Sequence, residues 1–370
     1  MSAYQYIIIG GGISGLYAAY LLEQRGITDY LLLEAKSSLG GRLNSAFATD
    51  SSGINAAFDL GATWFWEDQQ PELAQLIKDL NLSSFEQYTQ GEMLLERSST
   101  QPALRTRGFN GESSKRIDGG MKAFVDQLYA RLTADRILLS HQVLQLSHED
   151  HCIKVQVASQ AGQVKVFQTS QVLMAIPPRL AISSIQFTPA LPEHFKAQWQ
   201  NTATWMAPHA KYIAVYQTAF WRDVHLSGNA HSSVGPLVEI HDASTIQGTA
   251  ALFGFIGVAS AIRKDVSDAE LMRHCRHQLI RLFGQQAATP LHEYLKDWAQ
   301  DPFVATQDDL NATASHGHAP ASTADTGLWK NHLVGIASEF SPHYSGFIAG
   351  AIEAARLGID HASQKIQSIQ

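Results

Sequence analysis

The chain has 370 residues, of which 45% are hydrophobic and 16% charged, where an average globular protein has about a quarter charged. This length and this low charge predict two domains with large buried cores. The net charge is -7 and no run of like charges occurs, so neither nucleic acid nor an anionic membrane surface is expected as a partner.

The first predicted elements lie in the uncharged run "YIIIGGGISGLYAAYLL", residues 6–22. A signal peptide starts with basic residues and a membrane-spanning helix needs about 20 apolar residues, whereas this run has no basic start and is interrupted by three glycines. We therefore interpret it as a buried strand over residues 6–9, a glycine turn, and a helix over residues 14–25. The run "YLLLEA" supplies a second strand that ends at Glu34 and completes a βαβ unit.

The turn of this unit carries the pattern G-x-G-x-x-G at Gly10, Gly12 and Gly15. Gly10 allows a tight turn, Gly12 lets the backbone approach a pyrophosphate at the helix N-terminus, and Gly15 lets the helix pack closely on the strand. Glu34, 19 residues after Gly15, is placed to bind an adenosine ribose. The pattern predicts a dinucleotide site and leaves NAD and FAD open.

Two more glycine-containing turns follow in "GGR" and "FDLGATWF". Gly40, Gly41 and Gly61 suggest backbone held close to a flat ligand. Arg42 offers a cation for a phosphate or for negative charge on a reduced ring. Each segment by itself could equally be an ordinary turn, with Arg42 on the surface.

Local signals predict several later elements. Pro71 opens a helix, and residues 153–157 and 164–166 alternate as the two strands of a hairpin. Ser267 and Glu270 form a capping box for a helix that ends before Gly284. Within that helix, Cys275 repeats at helical spacing with leucines, which predicts core packing.

Cysteines and histidines give little sign of redox or metal chemistry. Cys152 and Cys275 are too few for a disulfide framework, which fits a reducing cytoplasm. His316 and His318 lie in a loop-like stretch without a third convergent ligand, so no metal site is expected.

Taken together and in this order, the glycine turn, "GGR" and "FDLGATWF" resemble the flavin-dependent amine oxidase family, in a short form. Later segments resemble the same family: "RIDGGMKAFVDQL", "ILLSHQVLQL", "VLMAIPPRL", "AKYIAVYQTAFW" and "SEFSPHYSGFIAGAIEAARLG". The resemblance implies FAD as the cofactor. It also implies an α/β fold, in which a Rossmann-like FAD-binding domain carries an inserted α+β substrate domain.

The resemblance also implies roles for individual residues. Lys211, ten residues before Trp221, would be catalytic and would hold a water at the hydride-accepting nitrogen of the flavin. Trp64, Trp298 and Phe347 would form the substrate pocket, although both tryptophans could equally be core residues. The implied cofactor-binding residues are Gly10, Gly12, Ile13, Ser14, Gly15, Glu34, Ala35, Gly40, Gly41, Arg42, Gly61, Ala62, Thr63, Val143, Glu339, Phe347 and Ile348.

One segment departs from the family pattern. Some members attach flavin through a cysteine nine residues after a tryptophan, and counting from Trp298 that position is Gln307, so noncovalent FAD is expected. The next position, a tyrosine in the monoamine oxidases, is Asp308, which could pair with a substrate ammonium group or be a solvated loop acid. With Phe347 as the other wall, the aromatic cage that guides the amine is at most half kept.

The motifs imply an FAD-binding domain of residues 1–82, 115–182 and 299–370, and a substrate domain of residues 83–114 and 183–298. The implied reaction is oxidation of a small-molecule amine by hydride transfer to FAD, giving an imine or carbonyl product and hydrogen peroxide, with molecular oxygen as the acceptor. Two alternatives stay open at this point. One is an FAD-dependent dehydrogenase or desaturase that uses another acceptor, and the other is a flavin-binding subunit without catalysis.

Overall fold

The computed structural model describes residues 3–49, 53, 55–108, 113–149, 152–310 and 318–367. In this part of the chain the helices are α1 Ile13–Gln24, α2 Pro71–Asp79, α3 Gly120–Tyr129, α4 Pro178–Ser184, α5 Glu193–Asn201, α6 Phe220–Asp223, α7 Ser260–Arg263, α8 Asp268–Phe283, α9 Gln307–Leu310 and α10 Ile348–Gln367. The strands are β1 Ala3–Ile9, β2 Tyr30–Leu33, β3 Ser45–Thr49, β4 Asn55–Asp59, β5 Ser84–Glu86, β6 Glu92–Glu96, β7 Leu104–Arg107, β8 Lys115–Ile117, β9 Ile137–Leu138, β10 His141–Glu149, β11 Cys152–Ser159, β12 Val164–Met174, β13 Gln186–Thr188, β14 Ala210–Tyr216, β15 Leu226–Ser232, β16 Leu237–Asp242, β17 Ala250–Ile256, β18 His292–Asp297 and β19 Leu333–Gly335.

The first sheet has the order β13-β10-β11-β12-β1-β2-β9, and β19 pairs with β12. Strand β1 is parallel to both β2 and β12. Alternate residues of β1 enter two different cores: Tyr6 and Ile8 pack with α1, α3 and α10, whereas Ile7 and Ile9 pack on the opposite face. A strand buried on both faces is the reason why this segment reads as a continuous apolar run.

The second sheet has the order β18-β14-β17-β16-β15-β6-β7. Its first four strands in this order, β18, β14, β17 and β16, pair antiparallel. Tyr212 and Ala214 of β14 pack in one core with residues of α8 such as Cys275 and Leu279, and Ile213 and Val215 enter a core on the opposite face with Phe58. The α8 helix therefore covers one face of this sheet, and the other face turns toward β4 and the segment that follows it.

Several local predictions are confirmed. Helix α1 begins one residue earlier than expected, α2 has Pro71 in its first turn, and β11 and β12 form an antiparallel hairpin. Ser267 Oγ accepts a hydrogen bond from the Glu270 backbone N–H at 3.3 Å, and α8 ends one residue before Gly284. Cys275 is fully buried, as the leucine spacing predicted.

The expected domain boundary after residue 182 does not coincide with a change of sheet, because β13 pairs with β10 of the first sheet. The division into two domains with these boundaries therefore stays a prediction. Across the described helices, no segment combines the length and the apolar character needed to cross a membrane.

Candidate active site

One long cavity of about 550 Å³ runs from the glycine turn after β1 to the inner face of the second sheet. Its wall includes the carboxyl ends of β1 and β2, the N-terminus of α1, and residues of β14, β16 and β17. In a sheet with parallel strands, ligands bind at the carboxyl ends of the strands, where the helix N-termini also point. The cavity therefore lies where a fold of this kind binds its ligands.

The glycine turn is packed as tightly as the sequence predicted. A Cβ on Gly15 would lie 2.0 Å from the carbonyl oxygen of Gly10, so any side chain at position 15 would push α1 away from β1. Gly10 itself has φ +108°, a conformation that favours glycine. Gly12 caps α1 without any side-chain hydrogen bond, and a Cβ on it would meet no atom closer than 3.9 Å. The backbone at the start of α1 thus faces open cavity, which suits a phosphate group.

Glu34 lies at the end of β2, where the sequence placed it. Its carboxylate accepts hydrogen bonds from the backbone N–H of Gly11 at 2.7 Å and of Lys36 at 2.8 Å. Burial raises the pKa of this carboxyl group. Glu34 is therefore held in one orientation at the strand end, with Ala35 and Val143 beside it in the cavity wall.

Gly40 and Gly41 bring a second loop against the first. Both have positive φ, +115° and +59°, and Gly40 forms an isolated bridge with Gly12. A Cβ on Gly41 would lie 3.2 Å from the Gly12 Cα. The two loops can approach this closely only without side chains, so together they form a backbone cradle around one end of the cavity.

Arg42 follows this cradle and pairs with a carboxylate from the far end of the chain. Its guanidinium contacts both Glu339 oxygens, at 2.7 and 3.1 Å, and donates to Ser338 Oγ at 3.0 Å. Glu339 is only 1% exposed and does not line the cavity itself. Its role in this structure is to hold Arg42, which does line the cavity, in a fixed position.

Lys211 lies in the cavity wall and is buried, at 2% exposure, rather than extending into water. Its strand β14 is paired on both sides, by β17 and β18. The Nζ atom donates to Thr63 Oγ1 at 2.6 Å and to the Gly61 carbonyl oxygen at 3.1 Å, and it lies 4.0 Å from the centre of the Phe253 ring. The residues Gly61 and Thr63 of the "FDLGATWF" segment therefore orient the amine of Lys211.

Burial lowers the pKa of Lys211 to about 7, with a further lowering from Arg116 and an opposing contribution from Asp59. Both of these charged groups are buried behind the lysine. Asp59 accepts from Ser45 Oγ at 2.8 Å and from the Met121 backbone N–H at 2.7 Å, and burial raises its pKa. Near neutral pH the Lys211 amine can thus gain or lose a proton, which an exposed lysine cannot do.

Aromatic side chains form much of the remaining wall. Trp64 donates its ring N–H to Gln87 Oε1 at 2.8 Å, and Trp298 donates to the Leu60 carbonyl oxygen at 3.1 Å. Phe347 meets Trp66 edge to face, with ring centres 6.2 Å apart. Trp64, Trp298 and Phe347 all line the cavity, as the sequence resemblance implied.

The structure brings most of the predicted residues to this one cavity. The lining residues among them are Gly10, Gly12, Ile13, Ser14, Glu34, Ala35, Gly40, Gly41, Arg42, Gly61, Ala62, Thr63, Trp64, Val143, Lys211, Trp298, Phe347 and Ile348. Gly15 and Glu339 support the site from behind the wall and do not line it.

Asp308, expected in the substrate pocket, lies away from the cavity. It is exposed on the short helix α9 and does not line the cavity. The buried carboxylate of this segment is the next residue, Asp309, which pairs with Arg179 at 2.7 Å. Asp308 faces solvent, and the neighbouring Asp309 is used in a buried ion pair. The structure therefore favours a solvated acid over a substrate contact for Asp308.

Sequence reasoning missed other residues of the wall. Trp66, Glu239 and Phe255 line the cavity, and Arg116 lies buried behind it. The alternation of Trp64 and Trp66 along an extended segment could have indicated the first, because alternate residues share a face. No local signal pointed to the other three.

No cluster of three or more metal-binding side chains occurs among the described residues. His316 lies outside the described residues, and His318 lies within them.

The residues present fit a flavin dinucleotide. A Cβ on Gly12 would meet no atom closer than 3.9 Å, the start of α1 has no side-chain cap, and the buried Glu34 and half-buried Arg42 are held in place beside it. A cation on Lys211 lies in the wall near the other end. This set of donors and acceptors matches a pyrophosphate at the start of α1, with a ribose on the Glu34 side and a ring system on the Lys211 side.

The model of the family described as "Flavin containing amine oxidoreductase" matches residues 88–358, and that of an "NAD(P)-binding Rossmann-like domain" matches residues 8–80. A protein named as a flavin-containing monoamine oxidase in Mycobacterium tuberculosis is 28% identical over 253 residues, which cover 67% of this chain and 52% of the relative. The putrescine oxidase of Kocuria rosea is 23% identical over 432 residues, which cover 85% of this chain and 87% of the relative.

The solved structure of cyclohexylamine oxidase from Brevibacterium oxydans matches 98% of this chain and 99% of its own, with a TM-score of 0.79 and 19% identity. At that identity the likeness shows the fold, an α/β Rossmann-like architecture. The chain spans about half the length of the mycobacterial relative. Because the first family model covers well over half of the sequence, the chain belongs to the family of flavin containing amine oxidoreductases, which implies a flavin cofactor.

Proposed function

We propose that this chain is an FAD-dependent oxidoreductase that oxidises the C–N bond of a small-molecule amine, with molecular oxygen as the acceptor. The products would be an imine or carbonyl compound and hydrogen peroxide. The observation that carries the proposal is the buried Lys211 amine in the cavity wall, held by Gly61 and Thr63. Relatives named as monoamine and putrescine oxidases support the choice of an amine.

The proposed FAD-binding residues divide by the part of FAD that they contact. The start of α1 at Gly12, Ile13 and Ser14 would bind the phosphates, Glu34 the ribose, and Arg42 negative charge on the ring system. When bound, FAD supplies a two-electron acceptor that takes hydride from the carbon next to the amine nitrogen. The protein supplies orientation and excludes water.

Noncovalent binding of FAD is part of the proposal. The two cysteines of the chain are both absent from the wall of the cavity among the described residues, and Cys275 is buried under α8. We also propose that the FAD-binding domain comprises residues 1–82, 115–182 and 299–370. Location in the cytoplasm stays a prediction.

In this proposal Lys211 exchanges a proton and, when protonated, places a positive charge at the cavity wall. With a pKa of about 7, its Nζ atom can be neutral or protonated at physiological pH. Thr63 Oγ1 and the Gly61 carbonyl oxygen fix that atom, so a water bound to it would be held in one place. The protonated form puts positive charge at the cavity wall, where negative charge develops during the reaction.

The test is anaerobic reduction of the purified holoenzyme by a panel of amines, polyamines and amino acids, followed by admission of oxygen. Bleaching of the flavin by amines and stoichiometric peroxide would support the proposal. Lys211→Met should retain FAD and slow reduction or reoxidation in stopped-flow measurements. Unchanged rates in this variant would remove Lys211 from the mechanism.

Bleaching by amines without peroxide, with reoxidation only by a quinone or dye, would favour a dehydrogenase of the same scaffold. The position of Asp308 outside the cavity favours that second candidate to some extent, because the second wall expected in the amine-guiding cage is missing at that point. A holoenzyme that no metabolite bleaches would refute both and leave a non-catalytic flavin-binding subunit.

A further inference from the structure

The amine of Lys211 lies against two aromatic rings of the neighbouring strand β17. Lys211 is paired directly with Phe255, and Phe253 is the diagonal neighbour, two residues away on the same face of the sheet. The Nζ atom is 5.6 Å from the centre of the Phe255 ring but only 4.0 Å from the centre of the Phe253 ring. The lysine side chain therefore leans along the strand, away from its direct partner and over Phe253.

The ring of Phe253 is held in place by its neighbours. It is 2% exposed and lies behind the wall of the cavity. Its centre lies 5.4 Å from the ring centre of Trp64 and 5.2 Å from that of His241, and it meets Phe255 nearly perpendicular at 5.6 Å. Because protein interiors are closely packed, a ring enclosed on these sides cannot turn away from the lysine without displacing its neighbours.

Charged groups from two elements act on Lys211. Asp59, at the end of β4, favours the ammonium form, whereas Arg116 of β8 disfavours it. The hydrogen bonds of Nζ go to Thr63 Oγ1 and to the Gly61 carbonyl oxygen, which are both uncharged. These hydrogen bonds therefore supply no negative charge to balance the ammonium group.

The charged and titratable groups on the adjoining strands are neutral or already paired. His209, just before β14, has its pKa lowered by burial, so it is neutral near pH 7. On β16, Glu239 contacts His241 at 2.7 Å. On β18, Lys296 is paired with Asp301 at 2.9 Å. These groups thus leave the balance of charge at the lysine to its immediate surroundings.

A phenyl ring can supply part of that balance. Its face carries a negative electrostatic potential, which attracts an ammonium group within about 6 Å of the ring centre. The attraction is stronger where water is excluded. Phe253 fulfils both conditions, since its ring is buried and its centre lies 4.0 Å from the Lys211 amine.

We propose that Phe253 is a positioning residue for Lys211, with the face of its ring binding the ammonium form of the lysine in place of a carboxylate partner. This inference rests on the proposed function, in which the protonated lysine places positive charge at the cavity wall. The ring favours the charged form and still allows the amine to lose its proton. A ring that acted only as an apolar wall would have the opposite effect, because an apolar wall disfavours the charged form.

Fluorination of the ring separates these two roles. Replacing Phe253 with 3,4,5-trifluorophenylalanine keeps the shape and the apolar character of the side chain but withdraws electron density from the ring face. Protonation of Lys211 in the oxidised holoenzyme can be followed by NMR of protein with 13C-labelled lysine, in which the Lys211 signal is the one missing from Lys211→Met. We expect the titration midpoint to fall by roughly 0.5 to 1.5 pH units, the shift that corresponds to loss of a cation–π contact.

The matched control is the same replacement at Phe58, which is fully buried in the same core as Phe253. It should leave the titration midpoint of Lys211 at the wild-type value. A midpoint that stays the same or rises in the Phe253 variant would refute the role of the ring, whatever the reaction of the enzyme.

Reoxidation of the reduced enzyme by oxygen, followed by stopped flow at several pH values, tests the link to the proposed function. The rate should fall as pH rises and Lys211 loses its proton. In the fluorinated Phe253 variant this fall should occur at lower pH, by the same shift as the NMR midpoint. If the midpoint moves but the reoxidation profile does not, or if no amine reduces the flavin, the role of the ring stands and the proposed function of Lys211 is wrong.

Discussion

Replacing Lys211 with methionine should change how the stability of the protein depends on pH. The Lys211 amine is 2% exposed, and burial lowers its pKa to about 7, against about 10.4 in an unfolded chain. Between these two values the unfolded state binds more protons than the folded state, so the free energy of unfolding rises with pH. Methionine has a similar length and no proton to bind, so it removes this contribution.

The size of the effect follows from the two pKa values. Going from about pH 7 to about pH 9, the lysine contribution to the free energy of unfolding of the flavin-free wild type rises by about 2 kcal/mol. The Lys211→Met variant should be the more stable protein at pH 7, because it buries no amine. The difference in the free energy of unfolding between the variant and wild type should decrease by about 2 kcal/mol toward pH 9.

Urea unfolding of flavin-free wild type and variant at several pH values measures this difference directly. Lys296→Met is the matched control, since Lys296 lies opposite Lys211 on β18 but is paired with Asp301 at 2.9 Å and partly exposed. The control should follow the wild-type pH dependence. A gap between wild type and Lys211→Met that stays constant from pH 7 to pH 9 would refute the conclusion that this amine titrates near neutrality.

Two further predictions concern the cradle and the α9 segment. Gly15→Ala should cost at least about 2 kcal/mol and reduce the flavin retained per chain, measured by visible absorbance, because its Cβ would lie 2.0 Å from a carbonyl oxygen. The matched control is Gly26→Ala, just after α1, where a Cβ would meet nothing within 4 Å. It should lower the free energy of unfolding by about 1 to 2 kcal/mol, because of its positive φ, and leave the flavin content unchanged. Equal loss of flavin in both variants would contradict the conclusion that the glycine turn shapes the flavin site. Asp309→Asn should lower the free energy of unfolding by roughly 3 kcal/mol, because the carboxylate of Asp309 is 1% exposed and pairs with the buried Arg179. Asp308→Asn should change the free energy of unfolding by less than about 0.5 kcal/mol and leave kcat/KM as in wild type. A large loss of activity in Asp308→Asn would restore that residue to the pocket.

Much of the cavity wall around the glycine turn could be predicted from the sequence. The turn at Gly10, Gly12 and Gly15, the helix that follows it and the acid at Glu34 lie within one βαβ unit. Their geometry depends on backbone conformation and on residues close in the chain. A position that needs a positive φ, or that has no room for a Cβ, requires glycine, and a glycine can be recognised in the sequence without knowledge of the fold.

The α9 segment shows the limit of such reading. Counting along the chain from Trp298 made Asp308 a candidate for the pocket, but the short helix turns that residue outward and Asp309 inward to Arg179. Neighbouring residues of a helix differ in direction by about 100°. An offset of one residue therefore decides whether an acid faces solvent or the protein interior.

The chain by itself determined the glycine turn and the elements around it, because short-range patterns encode them, and the resemblance to the family pointed to Lys211 as the candidate catalytic residue. Only the tertiary structure decided that Glu239, Phe255 and Lys211 share one row, and that Glu339 holds Arg42 across 297 positions. Those contacts depend on strand register and on packing between distant segments. Neither property leaves a periodic signal in the sequence.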